Sequence, residues 1–125
     1  VRSTVGTSKV TWNPTIAVGA QEYAKGCKFE HSAQNTRMLG NVVLGENLAW
    51  GSPYTSYSDK QMFGLWEDEK KDYIHPQYPD SKTGHYTQIV NKNVKEIGCG
   101  CANCNGSKMC VCRYNPIQLG NQAPY

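Results

Sequence analysis

One carboxylate in this sequence lies at a position where the helical spacing of apolar residues predicts a buried side chain, which makes it a candidate for acid–base or metal chemistry. Glu69 follows Met62 and Trp66 at helical spacing, on the face that a helix starting near residue 58 would turn inward. Burying a charged carboxylate costs several kcal/mol unless it is paired or hydrogen-bonded. The pattern is equally compatible with a structural carboxylate that reaches the edge of the core or bonds to nearby backbone.

Two histidines and a second glutamate are the other candidates. His85 lies in a segment rich in β-forming residues, His31 follows the first predicted helix, and Glu46 lies in a tight turn between apolar residues. Each has an ordinary alternative, because a lone histidine is commonly a hydrogen-bonded structural residue and a turn glutamate is commonly solvated. None of the three establishes a site when taken alone.

The helices that would position these residues are predicted from their caps. Asn13 and Pro14 predict the start of a first helix, which turns Cys27 inward and is expected to end at Gly26. Ser58 and the glutamine three residues later have capping-box spacing and predict the start of a second helix. Glu69 would therefore lie on the second helix, and His31 just beyond the first.

The remaining two candidates fall in segments of different predicted structure. Residues 28–58 are rich in Gly, Asn and Ser and are expected to be mostly loop, with a short turn of helix at residues 35–39. Residues 85–90 are rich in β-forming types and are expected to form a strand that presents His85 on one face of a sheet. This interpretation places Glu46 on a loop.

Five of the six cysteines fall between positions 99 and 112, where strands are expected on either side of Asn105-Gly106. An Asn-Gly pair strongly favours a type I′ hairpin turn. Centring the turn there places two pairs of cysteines at non-hydrogen-bonded positions, where side chains approach closely, and leaves one cysteine for the first helix. The predicted disulfides are Cys99–Cys112, Cys101–Cys110 and Cys27–Cys104.

The same cysteines could instead present thiolates to zinc. Their spacing matches no common zinc module, however, and the symmetric pairing would then be coincidental. We therefore interpret them as the disulfides of an oxidising compartment, which predicts a secreted, extracellular protein. In that setting Asn105 is a candidate glycosylation site, since Asn105-Gly106-Ser107 is a sequon.

Composition argues against two classes of partner. The net charge is only +3 and the Lys and Arg residues are scattered, so neither a nucleic-acid-binding stripe nor a basic membrane patch is expected. The sequence contains no apolar run of about 18 residues, so no transmembrane segment is expected.

The four candidates lie within an ordered set of motifs that resembles the CAP superfamily, which includes pathogenesis-related protein 1 (PR-1), cysteine-rich secretory proteins and venom allergens. His31-Ser32 fits the early part of this pattern. The longer matching stretches are Gly45-Glu46-Asn47-Leu48-Ala49, Trp66-x-x-Glu69, Gly84-His85-Tyr86-Thr87-Gln88-Ile89-Val90, Gly98-Cys99-Gly100 and Cys112-Arg113-Tyr114-Asn115-Pro116. The set covers almost the whole chain and is specific.

This resemblance implies an α+β fold, a disulfide-stapled three-layer α-β-α sandwich with a central antiparallel sheet. It implies a single PR-1-like domain over residues 1–125, with the family's first helix truncated or absent. It also implies a shared cleft, in which His31 and His85 could hold Zn²⁺ or another divalent metal and Glu46 and Glu69 would support them.

Two functions are compatible with such a cleft. The resemblance favours a non-enzymatic extracellular binding module for a sterol, a fatty acid or a host or microbial surface target. Trp50, Tyr54 and Tyr57 are candidate lipid contacts, with loop packing as the alternative. The second function is a metal-dependent protease or esterase that uses the same four residues. Two histidines are a thin ligand set for catalytic zinc, and the sequence has neither a Gly-x-Ser-x-Gly nor a His-Glu-x-x-His motif.

Overall fold

A computed structural model of the protein describes residues 2–118 and 120–125. Short 3₁₀-helices lie at Arg2–Val5, Gln34–Thr36, Tyr54–Ser56 and Asp68–Asp72. The regular elements are β1 (Thr11–Trp12), α1 (Pro14–Lys25), β2 (Met38–Leu39), β3 (Val42–Val43), β4 (Gly45–Gly51), α2 (Asp59–Glu67), α3 (Gly84–Val90), β5 (Glu96–Cys104) and β6 (Ser107–Asn115).

A four-stranded sheet in the order β1-β5-β6-β4 forms the middle layer. The pairs β5–β6 and β4–β6 are antiparallel, and only the two-residue β1 joins β5 in parallel. Helix α1 packs on one face of this sheet, whereas α2 and α3 pack on the other. The α+β fold with three layers is therefore confirmed. None of the helices in the described part of the chain is both long and apolar enough to cross a bilayer.

Strand alternation divides the core between the two faces of the sheet. On the α1 face, Ala20 and Ala24 of the helix pack with Leu48 of β4 and with apolar residues of β6. On the opposite face, Met62 and Trp66 of α2 belong to a cluster with Ala49 of β4 and with Cys110 and Cys112 of β6. Glu46 shares the α1 face with Leu48, two positions further along the strand.

The hairpin between β5 and β6 has the predicted turn and register. Asn105 and Gly106 have φ values of 53° and 89°, the positive values that a type I′ turn requires. The register pairs Cys99 with Cys112 and Cys101 with Cys110 as predicted, each pair with a Cα–Cα distance of 4.1 Å. The third disulfide joins Cys27, just past α1, to Cys104 at the end of β5. All six cysteines are oxidised, so the zinc–thiolate alternative is wrong.

Both predicted helix starts are confirmed. The Asn13 side chain accepts hydrogen bonds from the backbone N–H groups of residues 15 and 16, and Ser58 forms a complete capping box with Gln61. The end of α1 differs slightly from the prediction. Gly26 is the C-cap in right-handed geometry, and the left-handed residue is Cys27, with a φ of 57°.

The strand predicted at residues 85–90 is wrong, because this segment forms helix α3. Tyr86, Thr87 and Val90 are buried, and their spacing is that of one helical face rather than the alternation of a strand. Burial of this face against the rest of the molecule overrides the β-propensity of the residue types. His85 is therefore presented from the first turn of a helix.

The prediction of loop over residues 28–58 is also wrong in part, because β4 lies within it. Six of the seven residues of β4 are buried, so both faces of the strand are covered and its sequence shows no polar–apolar alternation. The helical turn predicted at residues 35–39 is a 3₁₀ turn at Gln34–Thr36, followed by the short hairpin of β2 and β3.

The backbone conformation at two glycines, one in the hairpin turn and one in α2, predicts opposite effects of substitution by alanine. Gly106→Ala should lower the free energy of unfolding by about 1 kcal/mol, because a positive φ is unfavourable for alanine. Gly64→Ala, inside α2, should raise it by about 0.5 to 1 kcal/mol, because alanine is the better helix former. An added Cβ meets no atom within 4 Å at either position, so the two sites differ in backbone conformation rather than in space. Urea denaturation under oxidising conditions measures both, and a shift of the same sign at both positions would contradict the explanation.

Candidate functional site

Glu46 is a buried carboxylate at which a strand pair and a loop meet. It lies on β4 opposite Arg113 of β6, and its side chain is fully buried. Its Oε2 accepts from Arg113 Nε (3.1 Å) and from Ser32 Oγ (2.7 Å). Its Oε1 accepts from the Ser32 backbone N–H (2.8 Å) and Arg37 Nη1 (3.4 Å), and lies 3.1 Å from His31 Nδ1. Two guanidinium groups thus compensate a single buried negative charge.

These contacts determine the ionisation of the carboxyl group. Burial by itself would raise the pKa of Glu46, but hydrogen bonds from His31, Ser32 and Arg113 outweigh burial and lower this pKa from 4.5 to about 2. Glu46 is therefore ionised at neutral pH, and an ionised carboxylate can only accept hydrogen bonds. It follows that His31 donates through Nδ1, and that the neutral ring carries its lone pair on Nε2.

Glu69 holds His85 in a similar way from the other side of the sheet. Its Oε2 lies 2.7 Å from His85 Nδ1, and its Oε1 accepts from the backbone N–H groups of His85 (2.9 Å) and Tyr86 (3.1 Å). A carboxylate in this position satisfies free N–H groups in the first turn of α3 and complements the positive end of the helix dipole. Glu69 lies in the 3₁₀-helix just past the end of α2, not on α2 as predicted, and from there it positions both the ring and the backbone of His85.

Two further contacts fix the His85 ring and backbone. Trp66 stacks on the imidazole, with 6.0 Å between ring centroids and 17° between planes. Asn47, next to Glu46 on β4, donates from Nδ2 to the His85 carbonyl (3.2 Å) and to the Tyr114 hydroxyl oxygen (2.8 Å). Burial raises the pKa of Tyr114, so this phenol stays neutral. Asn47 therefore links the sheet to the first turn of α3.

The two histidines meet at one cleft of about 230 Å³. The side chain of His31 is 57 % exposed and that of His85 is 35 % exposed, so both rings are accessible to a solute. Glu69 is not part of the lining, because it lies behind His85. The lining residues are His31, Glu46, Asn47, Asp80, Ser81, Gly84, His85 and Gln118.

Sequence reasoning missed several of these positions. Asp80 has a detectable local pattern, because its Oδ1 accepts from the backbone N–H groups of Lys82 and Thr83 in the turn before α3 (both 2.9 Å). Gln118 has no comparable local pattern. It reaches the cleft only because the chain after β6 returns along α3, where Gln118 Nε2 donates to the Gly84 carbonyl (3.0 Å).

The four predicted residues act as two carboxylate–histidine pairs rather than as one tight cluster of ligand atoms. Within the described ranges, the only group of three potential ligands within 4.8 Å of one another is Asp59, Cys101 and Cys110. Its two sulfur atoms are bonded to each other in a disulfide and offer no thiolate. In His31 and His85, Nδ1 of each ring faces a carboxylate, and no hydrogen bond to a described residue occupies either Nε2.

The three candidate lipid contacts do not share one pocket wall. Trp50 lies two positions beyond Leu48 on β4 and so points to the α1 face, where its ring centroid is 6.0 Å from that of Phe29. Tyr57 packs against Gly51 on the opposite face. Tyr54 lies under Lys108 Nζ, 4.8 Å from its ring centroid, also on that opposite face. The exposed aromatic pair is thus Phe29 with Trp50.

Asn105 lies exposed at the tip of the β5–β6 hairpin. The hydroxyl of Ser107, the third residue of the sequon, donates to Ser52 Oγ (3.1 Å). Glycosylation of Asn105 stays a prediction, and the exposed side chain is compatible with it.

Comparison with known sequences gives consistent matches. A profile of CAP, described as the cysteine-rich secretory protein family, matches residues 1–114. The human protein named cysteine-rich secretory protein 3 is 37% identical over an alignment of 122 positions, gaps included, that covers 92% of this chain and 48% of that protein. A PR-1 type pathogenesis-related protein of Sambucus nigra is 34% identical over an alignment of 133 positions, gaps included, that covers 99% of this chain and 75% of that protein. The chain thus spans about half the length of the mammalian relatives it matches.

Solved structures match the fold. Venom allergen-like protein 4 of Schistosoma mansoni superposes with a TM-score of 0.80 at 30% identity, covering 95% of this chain and 74% of that one. A structure of NaASP2 with Zn²⁺ superposes with a TM-score of 0.79, covering 95% of this chain and 66% of that one. Since its identity is 22%, this second likeness concerns the fold alone.

The charge arrangement around Glu46 predicts a pH-dependent loss of stability. Because the pKa of Glu46 is lowered in the folded state, its ionisation stabilises the fold above about pH 4.5, and this contribution is lost as the pH falls towards 2. Glu46→Gln should lower the free energy of unfolding by about 3 kcal/mol near neutral pH, because it leaves buried guanidinium groups without their carboxylate. The difference from wild type should shrink between pH 4.5 and 2.

Unfolding by guanidinium chloride at neutral and at acidic pH measures this difference in the free energy of unfolding. Glu22→Gln is the matched control, since Glu22 is an exposed carboxylate that pairs with the exposed Lys25. A loss of stability in Glu46→Gln that does not change with pH would show that the buried charge is not its cause.

Proposed function

The chain belongs to the CAP family of cysteine-rich secretory proteins, and from this membership we propose that it is a secreted, non-enzymatic binding domain whose cleft holds a divalent metal through His31 and His85. The observation that supports the metal site is that both imidazole rings are held by a carboxylate in the same way. Each Nδ1 faces a carboxylate, at 3.1 Å for His31 and 2.7 Å for His85, and both residues line the same cleft.

This arrangement suits a metal for a chemical reason. A carboxylate on Nδ1 selects the tautomer in which Nε2 can bind an ion, and it makes the imidazole a better donor. Neutral imidazoles suit Zn²⁺ among the common divalent metals. Two protein ligands leave coordination positions for water or for atoms of a ligand. When bound, the ion would supply a Lewis-acidic centre at which an oxygen or nitrogen of that ligand is recognised.

Secretion is supported by the oxidation of every cysteine. Three disulfides in a 125-residue chain suit an oxidising compartment and are rare in the cytosol. In this setting a target on a host or microbial surface is the kind of partner we propose for the exposed cleft.

The alternative, a metal-dependent hydrolase, has less support. Among the described residues, no hydrogen bond joins either imidazole to a serine or threonine hydroxyl, and the Ser32 hydroxyl is buried against Glu46 and Arg113. Turnover of an ester or peptide that is abolished both by chelation and by His85→Ala would favour the hydrolase.

A sterol or fatty acid is a second candidate ligand, favoured by one observation. Phe29 is 58% exposed and Trp50 is 37% exposed, and their rings are in contact. An exposed aromatic pair offers apolar area that a flat or extended lipid could cover. Because Tyr54 and Tyr57 lie on the opposite face of the sheet from Trp50, we propose Phe29 with Trp50 as the apolar contact instead of Trp50 with the two tyrosines.

The metal proposal predicts stabilisation by zinc. Millimolar Zn²⁺ should raise the Tm by several degrees near pH 7.5. It should do so much less at pH 5, because protonated imidazoles do not bind metal. His85→Ala should abolish the increase measured against its own metal-free protein. His75→Ala is the control, because His75 stacks on Tyr125 outside the cleft. An unshifted Tm, or a shift that survives His85→Ala, would count against the site.

The apolar-ligand proposal predicts loss of binding in a double variant. Phe29→Ala combined with Trp50→Ala should weaken binding of labelled cholesterol or palmitate by tenfold or more. The loss of each ring removes roughly 1.5 to 3 kcal/mol of favourable free energy from buried apolar contact. Trp12→Ala is the matched control, because Trp12 is an exposed tryptophan, 54% accessible, on β1. If wild type shows no saturable binding, or if the control loses as much affinity, the aromatic pair is not the site.

A further inference from the structure

The two histidines of the cleft are held in different ways. His85 lies in the first turn of α3, and its ring stacks on Trp66. His31 lies in the irregular segment after α1, its side chain is 57% exposed, and none of the ring contacts among the described residues involves its imidazole. The direction of the His31 ring therefore depends on Glu46 and on how firmly the backbone at this position is held.

Both peptide groups that flank His31 are hydrogen-bonded. The peptide group that follows it donates through the Ser32 N–H to Glu46 Oε1 (2.8 Å). The peptide group that precedes it accepts through the Glu30 carbonyl from the Tyr23 hydroxyl (2.5 Å). Because a peptide group is planar, a residue between two fixed peptide groups has little freedom left in φ and ψ. On the N-terminal side of His31, the Tyr23 hydroxyl thus has the role that the Glu46 carboxylate has on the other side.

Tyr23 is itself well anchored. It lies on α1, outside the cleft, and its ring packs against the core cluster on the α1 face of the sheet. The guanidinium carbon of Arg113 lies 5.4 Å from the centre of this ring, and the same guanidinium donates to Glu46 (3.1 Å). Burial raises the pKa of Tyr23, so the phenol stays protonated and can donate. One side chain therefore contacts both the backbone before His31 and the ion-pair partner of Glu46.

We propose that Tyr23 is a positioning residue of the cleft. Through the Glu30 carbonyl, its hydroxyl holds His31 in the orientation in which Nδ1 meets Glu46 and Nε2 is available to a ligand. This inference deepens the proposed metal-binding function by naming what controls it, but the orientation of His31 does not require the metal. Without the hydroxyl, only a fraction of the molecules has His31 correctly oriented, and the apparent affinity for an ion falls by that fraction.

The test is the tautomer of each imidazole, read from long-range ¹H–¹⁵N NMR spectra of the ¹⁵N-labelled, metal-free protein near pH 8. Wild type should show His31 mainly as the Nδ1–H tautomer, because an ionised carboxylate faces that nitrogen. Tyr23→Phe keeps the ring beside Arg113 and removes only the hydroxyl. It should move His31 to a mixture of the two tautomers and leave His85 as in wild type.

The same substitution should weaken the binding of Zn²⁺ at pH 7.5 about 5-fold, the size expected for one lost hydrogen bond, as measured by isothermal titration calorimetry. Tyr73→Phe is the matched control. It removes a bond of the same kind, from the Tyr73 hydroxyl to the Gln77 carbonyl (2.9 Å), between two residues that do not line the cleft. The control should lower the Tm by a similar amount and leave the His31 tautomer unchanged.

An unchanged His31 tautomer in Tyr23→Phe would overturn the proposal, as would a His31 that is already a mixture of tautomers in wild type. An equal change in Tyr73→Phe, or an equal change at His85, would overturn it as well, because either result indicates a general loosening of the fold. Failure of the metal site is a separate result. If Tyr23→Phe shifts the His31 tautomer and wild type binds no Zn²⁺, only the metal site is overturned. If wild type and Tyr23→Phe bind Zn²⁺ equally well, the control of the site by Tyr23 is overturned.

Discussion

The cleft depends on one buried charge, the carboxylate of Glu46, and on the groups that compensate it. A carboxylate without solvent is tolerated only when its oxygens are fully hydrogen-bonded and its charge is matched. Here Ser32 and Arg37 come from the loop after α1, and Arg113 comes from β6. The same carboxylate orients His31. Charge compensation therefore joins a strand pair to an irregular loop and places one wall of the cleft.

The second wall follows from a similar requirement at α3. The first turn of a helix has free N–H groups, and the carboxylate of Glu69 satisfies those of His85 and Tyr86 while it binds the imidazole. Asn47 connects this turn to Tyr114 of β6. The stapled hairpin thus supports His85 indirectly. It positions β6, and through β6 the Asn47 contact, rather than presenting His85 on a strand of its own.

The disulfides and the polar contacts have different tasks in this arrangement. Cys99–Cys112 and Cys101–Cys110 join β5 to β6 on the face opposite α1, and Cys27–Cys104 ties the end of α1 to the sheet. Covalent links of this kind stabilise mainly by restricting the unfolded chain. The hydrogen bonds of Glu46 and Glu69, by contrast, select which way the two imidazoles point. The disulfides thus contribute mainly to stability, whereas the contacts of Glu46 contribute both to stability and to the geometry of the site.

Features governed by neighbouring residues could be predicted from the sequence by itself. The type I′ turn at Asn105-Gly106, the cysteine register that follows from it, and the caps at Asn13 and Ser58 depend on contacts a few residues apart. Motif resemblance also singled out His31, Glu46 and His85, which line the cleft, and Glu69, which lies behind His85. Only the tertiary structure decided that residues 84–90 form a helix, that Gly45–Gly51 is a strand, and that Gln118 reaches the cleft. The reason is physical: these outcomes depend on burial against distant elements and on charge compensation across the sheet, which local propensity does not contain.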